Sequence, residues 1–241
     1  LFAREKNKYL FILSPPFCGS TLLTEILSTS KNVSCNNNIG LREGQHLPET
    51  HELLFTDNRW DINKKIDWFK VKQIWHKYWD RSKEILIEKS PPNICRAEKI
   101  DKVFENSIYI CLTRNPYAQI QSNIRRYNTD TIDATKKYIS YLKYQKYNLK
   151  KLEKTILITY EELTNSPSKT KEKISNFLPQ LNDIKVDIKF KAHNILEKNE
   201  MKITNLNKES IASLSKSQID SINTILEKEK DLISFFNYSI L

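Results

Sequence analysis

The chain has 241 residues, 39% of them hydrophobic, and carries 39 basic against 29 acidic residues for a net charge of +10. That length buries a full core in one α/β domain, and no apolar run approaches the roughly 18 residues a membrane span needs. The four cysteines, Cys18, Cys35, Cys95 and Cys111, fall in no CxxC or zinc-type spacing, so a metal is not expected, and the set suits a reducing compartment.

Lys8 to Leu13 (KYLFIL) is short, apolar and aromatic, the pattern of a buried strand. Ser14 to Gly19 breaks it with two prolines and one of only three glycines in the chain. A helix is predicted from Ser20 to Ser28, with Leu22, Leu23, Ile26 and Leu27 on one face. Strand, Gly-containing turn and helix start together aim free N–H groups and the positive dipole end at an anion. A nucleoside-triphosphate loop carries Lys directly after its last Gly. Here Gly19 is followed by Ser20, and no lysine occurs between Lys8 and Lys31. The turn can hold a phosphate but is poorly equipped for a triphosphate, and similar turns occur in α/β proteins that bind nothing there.

Residues 35 to 60 read as loop-rich. Ile66 to Arg81 predicts an amphipathic helix whose Trp68 and Trp75 either pack inward or form a stacking platform for single-stranded nucleic acid. A strand over Glu84 to Glu88 leads into the SPPN turn and a helix from Arg96 to Phe104. The next strand, Ser107 to Leu112, ends at Thr113-Arg114-Asn115-Pro116, and a helix from Tyr117 to Tyr127 follows. Arg114 thus stands at the carboxyl end of a strand, where open α/β sheets bind ligands, and its fork suits a phosphomonoester. Ser122, eight residues on, can turn its hydroxyl toward the same anion; a salt bridge capping the strand is the other reading of Arg114. A long helix from Ile132 to Lys151, a strand over Thr155 to Thr159, and helices over Lys169 to Leu178 and Lys216 to Phe235 complete the pattern. Alternating strands and helices predict an α/β fold: a central, mainly parallel sheet flanked by helices on both faces, in a single domain over residues 1–241.

Four phrases in order resemble the sulfotransferase family that uses 3′-phosphoadenosine 5′-phosphosulfate (PAPS). They are Pro16 to Leu23 (PFCGSTLL), Glu88-Lys89-Ser90-Pro91, Arg114-Asn115-Pro116 with Ser122, and Tyr160-Glu161-Glu162-Leu163. The resemblance implies a P-loop nucleotide-hydrolase-like fold and a transferase enzyme. It places Phe17, Cys18, Gly19, Ser20, Thr21 and Leu22 around the 5′-phosphosulfate. Arg114 and Ser122 fall on the 3′-phosphate and Tyr160 near the adenine. A weaker match, His193 to Asn205, sets Lys202 toward the 3′-phosphate, unless it is an ordinary solvated lysine. Relatives carry Arg or Lys where this chain has Phe17, so another cation must neutralise the sulfonate. Lys89 is the first choice and Arg42 the second.

Sulfonyl transfer also needs a base within reach of the acceptor. The resemblance points to Ile39 to Glu52, with Glu43 before Gly44 as the family phrase and His46 as the alternative, since imidazole titrates near neutrality; a plain solvated loop is the remaining reading of the stretch. The reading is a cytoplasmic sulfotransferase passing sulfonate from PAPS to the hydroxyl or amine of a small-molecule, sugar or peptide acceptor, with neither membrane nor nucleic acid as partner. A small-molecule kinase on a similar sheet, a relative whose catalysis has lapsed at Phe17, and a nucleic-acid binder drawn by the +10 charge are the alternatives.

Overall fold

In a computed structural model that describes residues 6–37, 42–190 and 201–241, the first half of the chain forms β1 (Lys8–Leu13), α1 (Ser20–Leu27), β2 (Val33–Cys35), α2 (Pro48–Leu54), α3 (Trp68–Tyr78), β3 (Ile85–Glu88), α4 (Ala97–Asp101) and β4 (Ser107–Thr113). The second half forms α5 (Pro116–Tyr127), α6 (Thr131–Lys151), β5 (Thr155–Thr159), α7 (Tyr160–Asn165), α8 (Pro167–Phe177), the short β6 (Lys189–Phe190) and β7 (Met201–Lys202), α9 (Asn207–Ala212), α10 (Lys216–Leu226) and α11 (Lys230–Phe235). Parts of two family-like stretches, residues 39–41 and 193–200, lie outside the described residues.

The five longer-paired strands lie in the order β2–β3–β1–β4–β5, and every pairing is parallel. The predicted α/β class holds, and strand alternation explains why both faces are covered. Leu10 and Ile12 point to one side, packing with Ile110, Ile87 and the α1 residues Leu23, Ile26 and Leu27. Tyr9, Phe11 and Leu13 point to the other, against Trp75, Ile100 and Phe104. A third cluster joins α5 and α6 to α10 and α11 through Tyr117, Ile120, Tyr138, Ile222, Leu226 and Ile233. With β1 flanked by β3 and β4, the chain leaves the sheet's carboxyl edge at a topological switch point, where such sheets form a crevice.

Helix starts follow their caps. The Asn115 side chain accepts from Ala118 N, Asp130 from Ile132 and Asp133 N, and Thr159 forms a reciprocal capping box with Glu162. Several expectations are corrected. The segment read as loop contains α2, started by Pro48, besides a 3₁₀ turn over Gly44–His46. The single tail helix expected from Lys216 to Phe235 is broken at Glu227–Glu229, and the break brings Leu232 and Ile233 into the cluster of Ile222 and Leu226. The tryptophans of the aromatic segment are core rather than a stacking platform: Trp68, Trp75 and Trp79 are buried and meet edge to face. No described helix is long and apolar enough to cross a membrane.

Candidate active site

Segments leaving the carboxyl ends of β1, β3 and β4 enclose a cavity of about 1330 Å³. Ser20 at the start of α1 and Arg114 at the end of β4 open onto this same space. Phe17, Gly19, Thr21, Leu22, Glu43, His46, Lys89, Ser122, Tyr160 and Lys202 also line it.

Gly19 makes the turn into α1 with φ +89, a left-handed conformation that side chains resist. The helix start has no side-chain cap and no acid in its first turn, so its first N–H groups are left for an outside acceptor. The Tyr160 ring packs on Gly19, and a Cβ there would stand 2.8 Å from Tyr160 Cδ2. Gly19→Ala is therefore expected to cost about 3 kcal/mol from backbone strain and overlap, seen as a lower urea midpoint with unchanged slope. Phe17 is also left-handed, at φ +66, and this turns its carbonyl toward Arg114 Nη1, 3.0 Å away. Its ring lies 5.6 Å from that of Tyr127. Cys18 departs from expectation. The residue is 1% exposed and packs into the core beside Leu22, where burial pushes the thiol pKa far above the usual range. Only its backbone remains in the loop.

Lys89 is 1% exposed. Its Nζ lies 3.3 Å from Thr21 Oγ1 and 3.7 Å from Glu43 Oε1, so it bridges the helix start to the proposed base. Burial pulls its pKa below that of an ordinary lysine, while Glu43 and Glu88 oppose the shift. Glu43 and His46 are brought together: His46 Nε2 is 3.4 Å from Glu43 Oε2. Arg42, the second cation considered for the sulfonate, does not share this space. It turns to Ser28 Oγ at 2.7 Å and Glu25 Oε1 at 3.4 Å.

A buried carboxylate beneath the site was not singled out from the sequence. Glu88 accepts from Asn36 Nδ2 (2.8 Å), Gly44 N (2.9 Å), Ser90 N (2.7 Å) and Asn93 Nδ2 (3.3 Å). Desolvation raises its pKa, against the lowering effect of the hydrogen bonds from Ser90, Asn36 and Gly44. The Gly44 carbonyl accepts from Thr50 Oγ1 and from Trp75 Nε1 at 3.3 Å, and a Cβ on Gly44 would overlap Asn36, Glu88 and Trp75. Glu88 thereby fixes the turn that carries Glu43, Gln45 and His46. Glu88→Gln, whose amide cannot accept from all four donors, is expected to lose about 1 to 3 kcal/mol of stability in chemical unfolding.

At the opposite end, Arg114 is 6% exposed and makes contacts on every side. Its Nη1 reaches Phe17 O at 3.0 Å and Ser122 Oγ at 3.5 Å. Its Nε donates to Asn207 Oδ1 at 2.8 Å, Nη2 reaches Ser210 Oγ at 3.5 Å, and the guanidinium stacks 4.3 Å above the Tyr160 ring. Glu161 braces the cluster, accepting from Asn115 N, Tyr238 Oη and Asn207 Nδ2. Tyr160 Oη donates to Thr204 O and accepts from Leu206 N, tying α7 to the segment before α9. Asn207, Ser210 and Tyr238 were invisible in the sequence, and Glu161 stood inside a recognised phrase without a role of its own. Lys202 lines the cavity as an exposed side chain of β7.

A parallel sheet with an anion-ready helix start and a guanidinium at one carboxyl edge defines a P-loop-like α/β fold with its ligand crevice at that edge. The chain belongs to the sulfotransferase family, whose model matches residues 10–180, and is accordingly a transferase enzyme. No curated protein sequence matches it. Among solved structures, a sulfotransferase domain from the curacin biosynthetic pathway superposes with a TM-score of 0.59 at 19% identity, covering 99% of this chain and 100% of that one. The sulfotransferase domain of the Synechococcus PCC 7002 olefin synthase gives 0.57 at 18%, covering 94% and 97%. A sulfotransferase from Alicyclobacillus acidocaldarius gives 0.58 at 12%, covering 98% and 97%. At these identities the likeness is one of fold.

Proposed function

We propose that this sulfotransferase takes its sulfonate from PAPS and that the cavity holds the nucleotide end to end. The observation that carries this reading is that the uncapped start of α1 and the guanidinium of Arg114 face one cavity. The residues fit such a ligand. The N–H groups of Ser20, Thr21 and Leu22 suit the 5′ end, and Arg114 with Ser122 suits a 3′-phosphate that ATP lacks. When bound, PAPS supplies a sulfonate on a phosphate leaving group. Glu43 takes the acceptor's proton as the acceptor oxygen or nitrogen bonds to sulfur, with His46 beside it as a second proton station. Lys89 offsets charge at the transferring group and the departing phosphate, the task that Phe17 lacks the charge to perform. Tyr160 lies toward the adenine, and Lys202 joins Arg114 and Ser122 at the 3′-phosphate. A single domain over residues 1–241 and a cytoplasmic setting belong to the same reading; the four cysteines, all buried free thiols, support the latter.

Calorimetry with adenosine 3′,5′-bisphosphate, and separately with ATP and magnesium, tests the proposal. Tighter bisphosphate binding is expected. Tighter ATP binding would move the reading to a kinase. Normal bisphosphate binding without turnover on any acceptor would move it to a lapsed relative.

A further inference from the structure

The cavity is far more basic than the chain. Eight cations and two carboxylates line it, whereas the whole sequence has 39 basic to 29 acidic residues. Lys89, Arg114 and Lys202 belong to the nucleotide end under the function proposed above, on which this inference rests. The remaining five, Arg59, Arg125, Arg126, Lys136 and Lys137, face one carboxylate, Asp133. This imbalance is concentrated by local structure. Arg125 and Arg126 occupy the last turn of α5, which ends at the left-handed Asn128, while Lys136 and Lys137 lie in the early turns of α6. None of the four makes an ion pair among the described residues.

Arg59 connects this cationic group to the chemistry. From Glu43, His46 is 3.4 Å away; the His46 ring lies 4.3 Å from Phe55, and the Arg59 guanidinium stacks 4.5 Å over Phe55. Its one hydrogen-bonding partner among the described residues is the Thr56 carbonyl, at 3.5 Å, which leaves most of the fork open. Trp60, next in the chain, packs 5.1 Å from Tyr141, and Tyr144 follows one turn along the same α6 face as Lys137. The wall therefore passes from a proton acceptor, through aromatic rings, to guanidinium and ammonium groups.

We propose that the acceptor is an anion: a hydroxyl- or amine-bearing molecule with an apolar or aromatic body and a carboxylate, phosphate or sulfate at the end away from the reacting atom. Arg59 takes that anionic group as a charge-assisted, forked pair, and the four cations on α5 and α6 draw it in and set the preference against neutral analogues.

The test uses two matched phenols, 4-hydroxyphenylacetate and 2-(4-hydroxyphenyl)ethanol, which differ in carrying a carboxylate or a hydroxymethyl group. Each is titrated by calorimetry into full-length protein saturated with adenosine 3′,5′-bisphosphate. The acid is expected to bind at least tenfold more tightly. That preference should shrink severalfold in Arg59→Gln and in Arg125→Gln/Arg126→Gln, and with added salt, while bisphosphate affinity stays at the wild-type level as the check on folding. Equal binding, tighter binding of the neutral phenol, binding of neither, or an equal loss of both in the variants would overturn the proposal. Failure of the bisphosphate itself to bind would instead remove the nucleotide reading beneath it.

Discussion

Lys89→Met is expected to lower kcat by roughly 100- to 1000-fold, the range seen when one preorganised transition-state donor is removed. The side chain is the buried cation next to the start of α1, reaching Thr21 and Glu43. Bisphosphate carries no sulfonate, so its affinity should change far less than turnover. The substitution also leaves Glu43 without its ammonium partner, and loss of one member of a buried pair costs about 3 to 5 kcal/mol. A merely structural role would lower the amount of folded enzyme, yet leave turnover per bisphosphate-binding site intact. That outcome would sink the assignment.

The same residue carries a pH signature. Burial holds the folded-state pKa of Lys89 below its unfolded value, so on titration the folded protein releases this proton first. Between the two values the unfolded chain binds more protons, and stability rises with pH through that window. Activity should move the other way, falling as the ammonium is lost below the usual lysine range. Lys89→Arg, permanently charged, should shift that alkaline limb upward even if its maximal rate is low. An unchanged alkaline limb in Lys89→Arg would assign the titration to another group.

What could be read from the sequence was local. The β1 strand, the Gly19 turn and α1 are contiguous, and their apolar alternation, scarce glycine and helical spacing each act over a few residues. Arg114 and Ser122 were legible for the same reason, standing eight apart on one strand–helix unit. Residues that act across the fold were not. Asn207 reaches Arg114 over 93 positions, and a lone Asn at a helix start carries no mark of that partner. Glu88 stood inside a recognised phrase, yet its four donors come from three separate segments, a convergence only the folded chain displays. The short α2 was lost because it is largely polar and half-exposed, so periodicity is weak there. Cys18 and Arg42 show the converse. Their neighbours in sequence belong to the site, but a turn of the backbone sends the thiol into the core and the guanidinium to Glu25.

Arg114→Ala is expected to weaken adenosine 3′,5′-bisphosphate by about 3 kcal/mol, roughly a hundredfold in Kd, through the loss of a buried, charge-assisted phosphate contact. The guanidinium also holds the Phe17 carbonyl of the phosphate loop, so weaker binding alone does not separate a direct grip from a disturbed loop. Comparing the bisphosphate with adenosine 5′-monophosphate does. Wild-type protein should prefer the bisphosphate strongly, and Arg114→Ala should erase that preference, because the two ligands differ only at the 3′ position. If the variant weakens both ligands equally and keeps the preference, Arg114 serves the loop and the 3′-phosphate is held elsewhere. Asn207→Ala, which frees the guanidinium's Nε side without removing its charge, should reduce the same preference by a smaller factor, about tenfold for one hydrogen bond to a charged group. An Asn207 variant indistinguishable from wild type in this ratio would show that α9 only covers the arginine and does not aim it.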